Sequence, residues 1–249
     1  KDLILFLVGQ LGTSGANYQA IEYTGEAIEG LSLAGRMTLA SMSVEMGAKS
    51  GIVDPLGLEL PYEFEPIRAD EDAHYEKVYK FDVSDLSSQI SVPHSPDNVV
   101  PLEEVKGTSI DIAFIGTCTN GRLEDLQVAA DILNGQHIAP HVRMIIAPAS
   151  REVFNQALQQ GTVEILSRSG ATFITPGCGP CVGTHLGVPG DEEVVISTAN
   201  RNFKGRMGNP HSNIYLASPA AVAASALRGV ISDPAEVLPS TQDGVQEQP

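Results

Sequence analysis

The sequence predicts an α/β fold of mostly parallel sheets covered by helices, arranged as two subdomains. Three observations predict it. From Ile110 onward, short apolar runs alternate with amphipathic helical stretches, the pattern of parallel strands joined by crossover helices. Capping residues and glycines punctuate those stretches at their ends. Pro93, Pro96 and Pro101 crowd together where an earlier, helix-rich pattern gives way to this alternation.

The elements follow in order. Residues 1–92 form an N-terminal α/β segment whose first part, Lys1–Pro61, is rich in Gly and Ala with helical periodicity, and Lys1 starts inside a helical pattern, so the chain reads as a piece of a longer one. Within Ser32–Lys49, Leu39, Met42 and Met46 recur on one helix face, with Glu45 beside that stripe. Residues 62–82 are acidic and weakly periodic, as surface chain is. Residues 93–106 read as a Pro-rich linker, and 107–238 as the α/β domain. There, 110–116 is a strand, and 121–134 is a helix with Leu126, Ala129, Ala130 and Leu133 on one face. Residues 143–149 form a second strand, and Ser150 caps a helix that runs to Gln160 and stops at Gly161. A helix over 162–169 and strands over 171–175 and 194–199 come next. Ser218, Pro219 and Gly229 bracket the last helix, and 239–249 is a polar tail expected to be disordered.

Composition narrows function. A net charge of −16 and a pI near 4.6 supply no basic field for nucleic acid. The absence of Trp removes a common base-stacking platform. No apolar run approaches the roughly 20 residues that span a bilayer. An anionic ligand would need a local cationic cluster, and Arg201, Lys204 and Arg206 provide one.

The three cysteines are the most telling residues. Cys118 lies in Gly-Thr-Cys-Thr-Asn, while Cys178 and Cys181 form a Cys-x-x-Cys flanked by glycines. An odd number of thiols cannot pair off completely, which suits a reducing compartment such as the cytoplasm. A lone Cys is ordinarily a small buried apolar residue, and a Cys-x-x-Cys serves redox or zinc chemistry as readily as iron. Together, one Cys and a Cys-x-x-Cys can grip a metal at three points and leave a corner open for substrate. On spacing alone, zinc completed by His185 and an iron–sulfur cluster stand level. The small residues around all three thiols favour the bulkier cluster, whose sulfides need backbone N–H donors at close range. The glycine-rich setting suggests an irregular loop rather than a helix start. All three thiols and the arginines follow predicted strands at their carboxyl ends, where open α/β sheets bind ligands.

Three motifs in order then carry a resemblance: Ile115–Arg122, Pro176–Cys181 and Asn200–Arg206. With them the chain resembles aconitase-family hydro-lyases, most closely the large subunits of 3-isopropylmalate dehydratase and homoaconitase. The resemblance implies an aconitase-like fold and a [4Fe–4S] cluster on Cys118, Cys178 and Cys181. It implies isomerisation of a 2-hydroxy di- or tricarboxylic acid by loss and return of water, as in leucine biosynthesis. Arg201 and Arg206 would bind substrate carboxylates, Asn200 would hydrogen-bond near the cluster, and Lys204 would face solvent. Ser43–Gly47 matches a segment whose Glu, here Glu45, acts in catalysis; an ordinary surface carboxylate is the plainer reading. Ala40-Ser41 stands where the family commonly has Cys-Asn, a departure that bears on cluster polarity and substrate range. The resemblance also implies a further N-terminal portion and a small swivelling-domain subunit in a heterodimer or heterotetramer. Without them the chain is expected to bind a cluster but not turn over substrate. The other class of reading is a non-catalytic zinc domain. The remaining histidines show no metal-ligand spacing.

Overall fold

A computed structural model describes residues 1–60 and 62–237. Helix α1 (Asp2–Leu11) leads to strand β1 (Ala20–Tyr23), the short helix α2 (Glu26–Glu29) and helix α3 (Leu33–Met42). A 3₁₀ turn over Ser43–Met46 precedes β2 (Ser50–Val53), which pairs in parallel with β1. The acidic stretch 62–82 is largely exposed and carries no regular structure.

A hairpin of β3 (Gln89–Ser91) and β4 (Val99–Pro101) follows. Then come β5 (Ile112–Gly116), the single turn α4 (Thr117–Asn120) and α5 (Leu123–Leu133). Next are β6 (Arg143–Ala147), α6 (Arg151–Gln159), α7 (Thr162–Arg168) and β7 (Thr172–Phe173). The chain continues through α8 (Gly179–Val182), β8 (Val194–Ser197), β9 (Asn213–Leu216) and α9 (Pro219–Arg228). The expected caps form: the hydroxyls of Ser32, Ser150 and Ser218 accept from the backbone N–H three residues on. Gly161 and Gly229 take the left-handed conformation.

Seven strands build the main sheet in the order β4-β3-β9-β8-β5-β6-β7, parallel from β9 to β7 and antiparallel at the hairpin. The expectation of a mostly parallel, helix-covered sheet is met. Strand alternation explains the two cores. Ala113 and Ile115 of β5 and Ile196 of β8 face a core with α5, α6, α7 and α9. Ile112 and Phe114 of β5 and Val195 of β8 face the other side, against Ile4, Leu5, Val8, Leu39 and Met42 of α1 and α3.

That second core corrects the linker expected at 93–106. Those residues include a strand of the main sheet, and α1 packs across the hairpin. Pro101 is tolerated because β4 is an edge strand and owes no N–H to a further neighbour. The polar tail, 239–249, lies outside the described residues.

Candidate active site

The geometry of the sheet gathers the site. Strands β5, β6 and β7 progress in one direction from β5, whereas β8 and β9 lie on its other side. The order therefore reverses between β5 and β8, which opens a crevice at their carboxyl ends. Cys118 leaves β5 into this crevice and Asn200-Arg201 leave β8 into it. Cys178 and Cys181 arrive from β7 on the same edge.

The Cys118 turn is held in an unusual shape. Thr117 sits at φ 79°, a left-handed conformation that costs a β-branched residue about 1–3 kcal/mol. The buried Thr198 hydroxyl compensates: it accepts from Gly116 N–H at 2.9 Å and lies 3.1 Å from Gly116 O and 3.3 Å from Asn120 O. The Thr119 hydroxyl donates to Asn200 Oδ1 across the crevice. Arg122 Nη2 donates to Cys118 O at 2.8 Å. Cys118 and Cys178 are exposed and Cys181 is buried.

The Cys-x-x-Cys does open a helix, contrary to the irregular loop expected. Cys178 is the N-cap of α8, and Pro180 suits its first turn, where a missing N–H costs nothing. The glycine after it matters for a reason the sequence did not show. A Cβ on Gly183 would stand 2.1 Å from Gly208 N, so the two backbones touch and dock α8 against the Arg206 loop. Arg206 Nη2 consequently reaches Cys181 Sγ at 4.0 Å. Burial pushes the Cys181 thiol up, and Arg206 opposes that shift.

Glu45 is neither on α3 nor at the surface. The helix expected through Lys49 ends at Met42, and the 3₁₀ turn carries Glu45 inward until its side chain is 3% exposed. Arg201 Nε donates to both carboxylate oxygens, at 2.8 and 2.9 Å. Burial pushes the Glu45 carboxyl above its ordinary value, while Arg201 and, more weakly, Lys1 hold it back. Arg201 is thus partly committed, but its two terminal nitrogens make no hydrogen bond among the described residues. Lys204 is exposed, as expected.

The residues present fit an anionic iron–sulfur cluster. Three thiols come from two loops on one edge, and Cys181 lies within electrostatic reach of the other two. Arg122 beside Cys118 and Arg206 beside Cys181 each bury an Nε that has no partner among the described residues. Two orphaned cationic donors are what a negatively charged group would satisfy. Among the described residues no three His, Cys, Asp or Glu side chains close around a single ion. A cubane spreads its ligands over separate corners and has no need of that. His185, the fourth ligand of the zinc reading, is exposed and lays its ring against Gly179.

Sequence reasoning missed Lys1, Thr198 and the roles of Thr119 and Arg122. Thr119 and Arg122 stand inside the Cys118 motif, whose spacing was the available signal. Nothing local marks Lys1 or Thr198.

Comparison with known proteins identifies the family. The "Probable methanogen homoaconitase large subunit" of Methanosarcina mazei is 54% identical over 244 residues, covering 95% of this chain and 62% of that protein. The "3-isopropylmalate dehydratase large subunit 2" of Archaeoglobus fulgidus is 51% identical over 248 residues, covering 96% of this chain and 59% of its own length. A "3-isopropylmalate dehydratase large subunit" of Desulfitobacterium hafniense is 47% identical over 245 residues, with 96% and 58% covered. The chain spans about three-fifths of the length of these relatives. The profile of the Aconitase family (aconitate hydratase) matches residues 1–62 and 102–229, most of the chain and all three motifs. The chain belongs to the aconitase family.

Proposed function

We propose that the chain is part of the large subunit of a [4Fe–4S] hydro-lyase. It would isomerise a 2-hydroxy di- or tricarboxylic acid by dehydration and rehydration, with 3-isopropylmalate as the substrate. The observation that carries this reading is the gathering of three thiols and two orphaned guanidinium donors at one switch-point crevice.

Cys118, Cys178 and Cys181 would hold the cluster. When bound, it supplies Lewis acidity at an iron that has no protein ligand. The chain's own residues do the rest. Arg206 and the free terminal nitrogens of Arg201 receive substrate carboxylates, a role that matters in a protein of net charge −16. Asn200, already bonded to Thr119, presents its amide between the Cys118 turn and the substrate. Glu45, its carboxyl raised by burial and held back by Arg201, is the carboxylate placed to act as proton carrier.

Homoaconitase is the second reading, favoured by the name of the Methanosarcina mazei relative. The substrate chain that separates the two is read mostly outside these residues. Turnover would require the portion of the relatives that lies outside this chain and a small-subunit partner, as the words "large subunit" in their names suggest. Free thiols at the site suit the cytoplasm.

Anaerobic reconstitution with iron and sulfide tests the proposal. The protein is expected to turn brown, with broad absorption near roughly 400 nm from sulfide-to-iron charge transfer. Cys118→Ser, Cys178→Ser and Cys181→Ser should each abolish stable uptake. A colourless protein that retains one tight zinc sinks the proposal in favour of the zinc domain. Combining the loaded chain with its complement and assaying both substrates separates the two hydro-lyase readings.

A further inference from the structure

We infer that Lys1 is a positioning residue that sets the Asn200-Arg201 arm of the site against the Cys118 turn. An ammonium has three N–H donors, and all three are accounted for. Lys1 Nζ donates to Thr198 O and Ala199 O, both at 2.9 Å, and to Met42 Sδ at 3.1 Å. Lys1 as a residue keeps partial solvent contact, but its ammonium is enclosed.

None of the three partners is a carboxylate. Enclosing a cation against neutral acceptors is costly, and an apolar side chain of equal length would fill the space more cheaply. The contacts show what the charge accomplishes. The two carbonyls are the last before Asn200 and Arg201, so the ammonium fixes the end of β8 from behind. Thr198 is also the residue whose hydroxyl bonds both ends of the Cys118 turn. Lys1 therefore ties three things together: the start of α1, the Arg201 arm with its Glu45 partner, and the turn that aims Cys118. Aspartate and glutamate groups face it from the packed elements, namely Asp2, Asp125 and Glu45, without touching it.

The inference gains its importance from the proposed hydro-lyase reading, but it can be tested on the metal-free full chain. The signal is the Arg201 Nε–H resonance in ¹H–¹⁵N spectra, identified by its loss in Arg201→Lys. Pairing with buried Glu45 should protect it from exchange with solvent. In Lys1→Met, with circular dichroism and the thermal transition retained, exchange of that proton is expected to rise at least tenfold. The Arg143 Nη2–Glu193 pair, on the outer surface, serves as a control that should not change. If Lys1→Met does not fold, Lys1→Gln is read by the same criterion, because it can reach only one carbonyl and carries no charge. A folded variant with unchanged Arg201 protection, or one in which Arg201 and the control loosen equally, overturns the inference. Failure to take up iron and sulfide would count against the hydro-lyase reading and leave this measurement intact.

Discussion

Glu45 and Arg201 illustrate how much a single buried pair can decide. Each was recognisable as a candidate, yet separately: one as a catalytic carboxylate, the other as a carboxylate clamp. Brought together they neutralise one another, and Arg201 donates to both oxygens of the buried Glu45 carboxylate. Arg201→Ala should destabilise the protein by about 1–3 kcal/mol, the cost of leaving a buried acceptor unpaired. Arg201→Ala combined with Glu45→Gln should recover part of that loss, and urea unfolding at neutral pH measures both. Lys1 gives a pH signature of its own. Burial lowers its pKa to about 8 from 10.5, so between those values the unfolded chain binds the proton that the folded one releases. Stability must then rise with pH across that window. The unfolding free energy should increase by roughly 1–2 kcal/mol between pH 8 and 10 relative to Lys1→Met. A flat difference between the two proteins would contradict the enclosed ammonium.

At the scale of elements, the contact between α8 and the Arg206 loop sets the site. Gly183 is left-handed at φ 71° and lies against the left-handed Gly208, so neither position has room for a side chain. Gly183→Ala should separate the two segments, withdraw Arg206 from Cys181 and lower stability by several kcal/mol through backbone displacement. Thermal unfolding and the yield of reconstituted cluster should fall together. Gly135→Ala, left-handed but facing open space, should cost far less and provides the comparison. The longer helices were legible beforehand, because α5 and α9 bury regular stripes and Ser150 and Gly161 bracket α6. The short β1, β2, β3, β4 and β9 were not. Three or four residues carry too little alternation to announce a strand, and these are held by pairing rather than by local preference.

Across the whole molecule, the sheet is shared. Phe114, fully buried at the centre of β5, faces the core that α1 and α3 complete. Phe114→Ala should therefore destabilise by about 3–5 kcal/mol. Because the N-terminal helices and the strands bury one another, unfolding should be a single cooperative transition, coincident by tyrosine fluorescence and far-ultraviolet circular dichroism. Two resolved transitions would restore the independent N-terminal unit expected from the proline cluster. The sheet order also explains why the site lies where it does. The strand order reverses between β5 and β8, and the segments carrying the thiols and arginines leave the sheet at that carboxyl edge.

By itself the sequence determined the α/β class, the ends of α5, α6 and α9, the three thiols and the family, since these rest on periodicity, capping chemistry and residue spacing. Tertiary structure alone decided that Glu45 is buried against Arg201, that Gly183 must meet Gly208, and that the ammonium of Lys1 stands behind Thr198. Glu45 and Arg201 lie 156 residues apart and Lys1 and Thr198 lie 197 apart, while the Gly183–Gly208 contact brings Cys181 to Arg206 across 25. No local pattern records a contact across such separations, because the sheet order that creates it is a property of the folded chain.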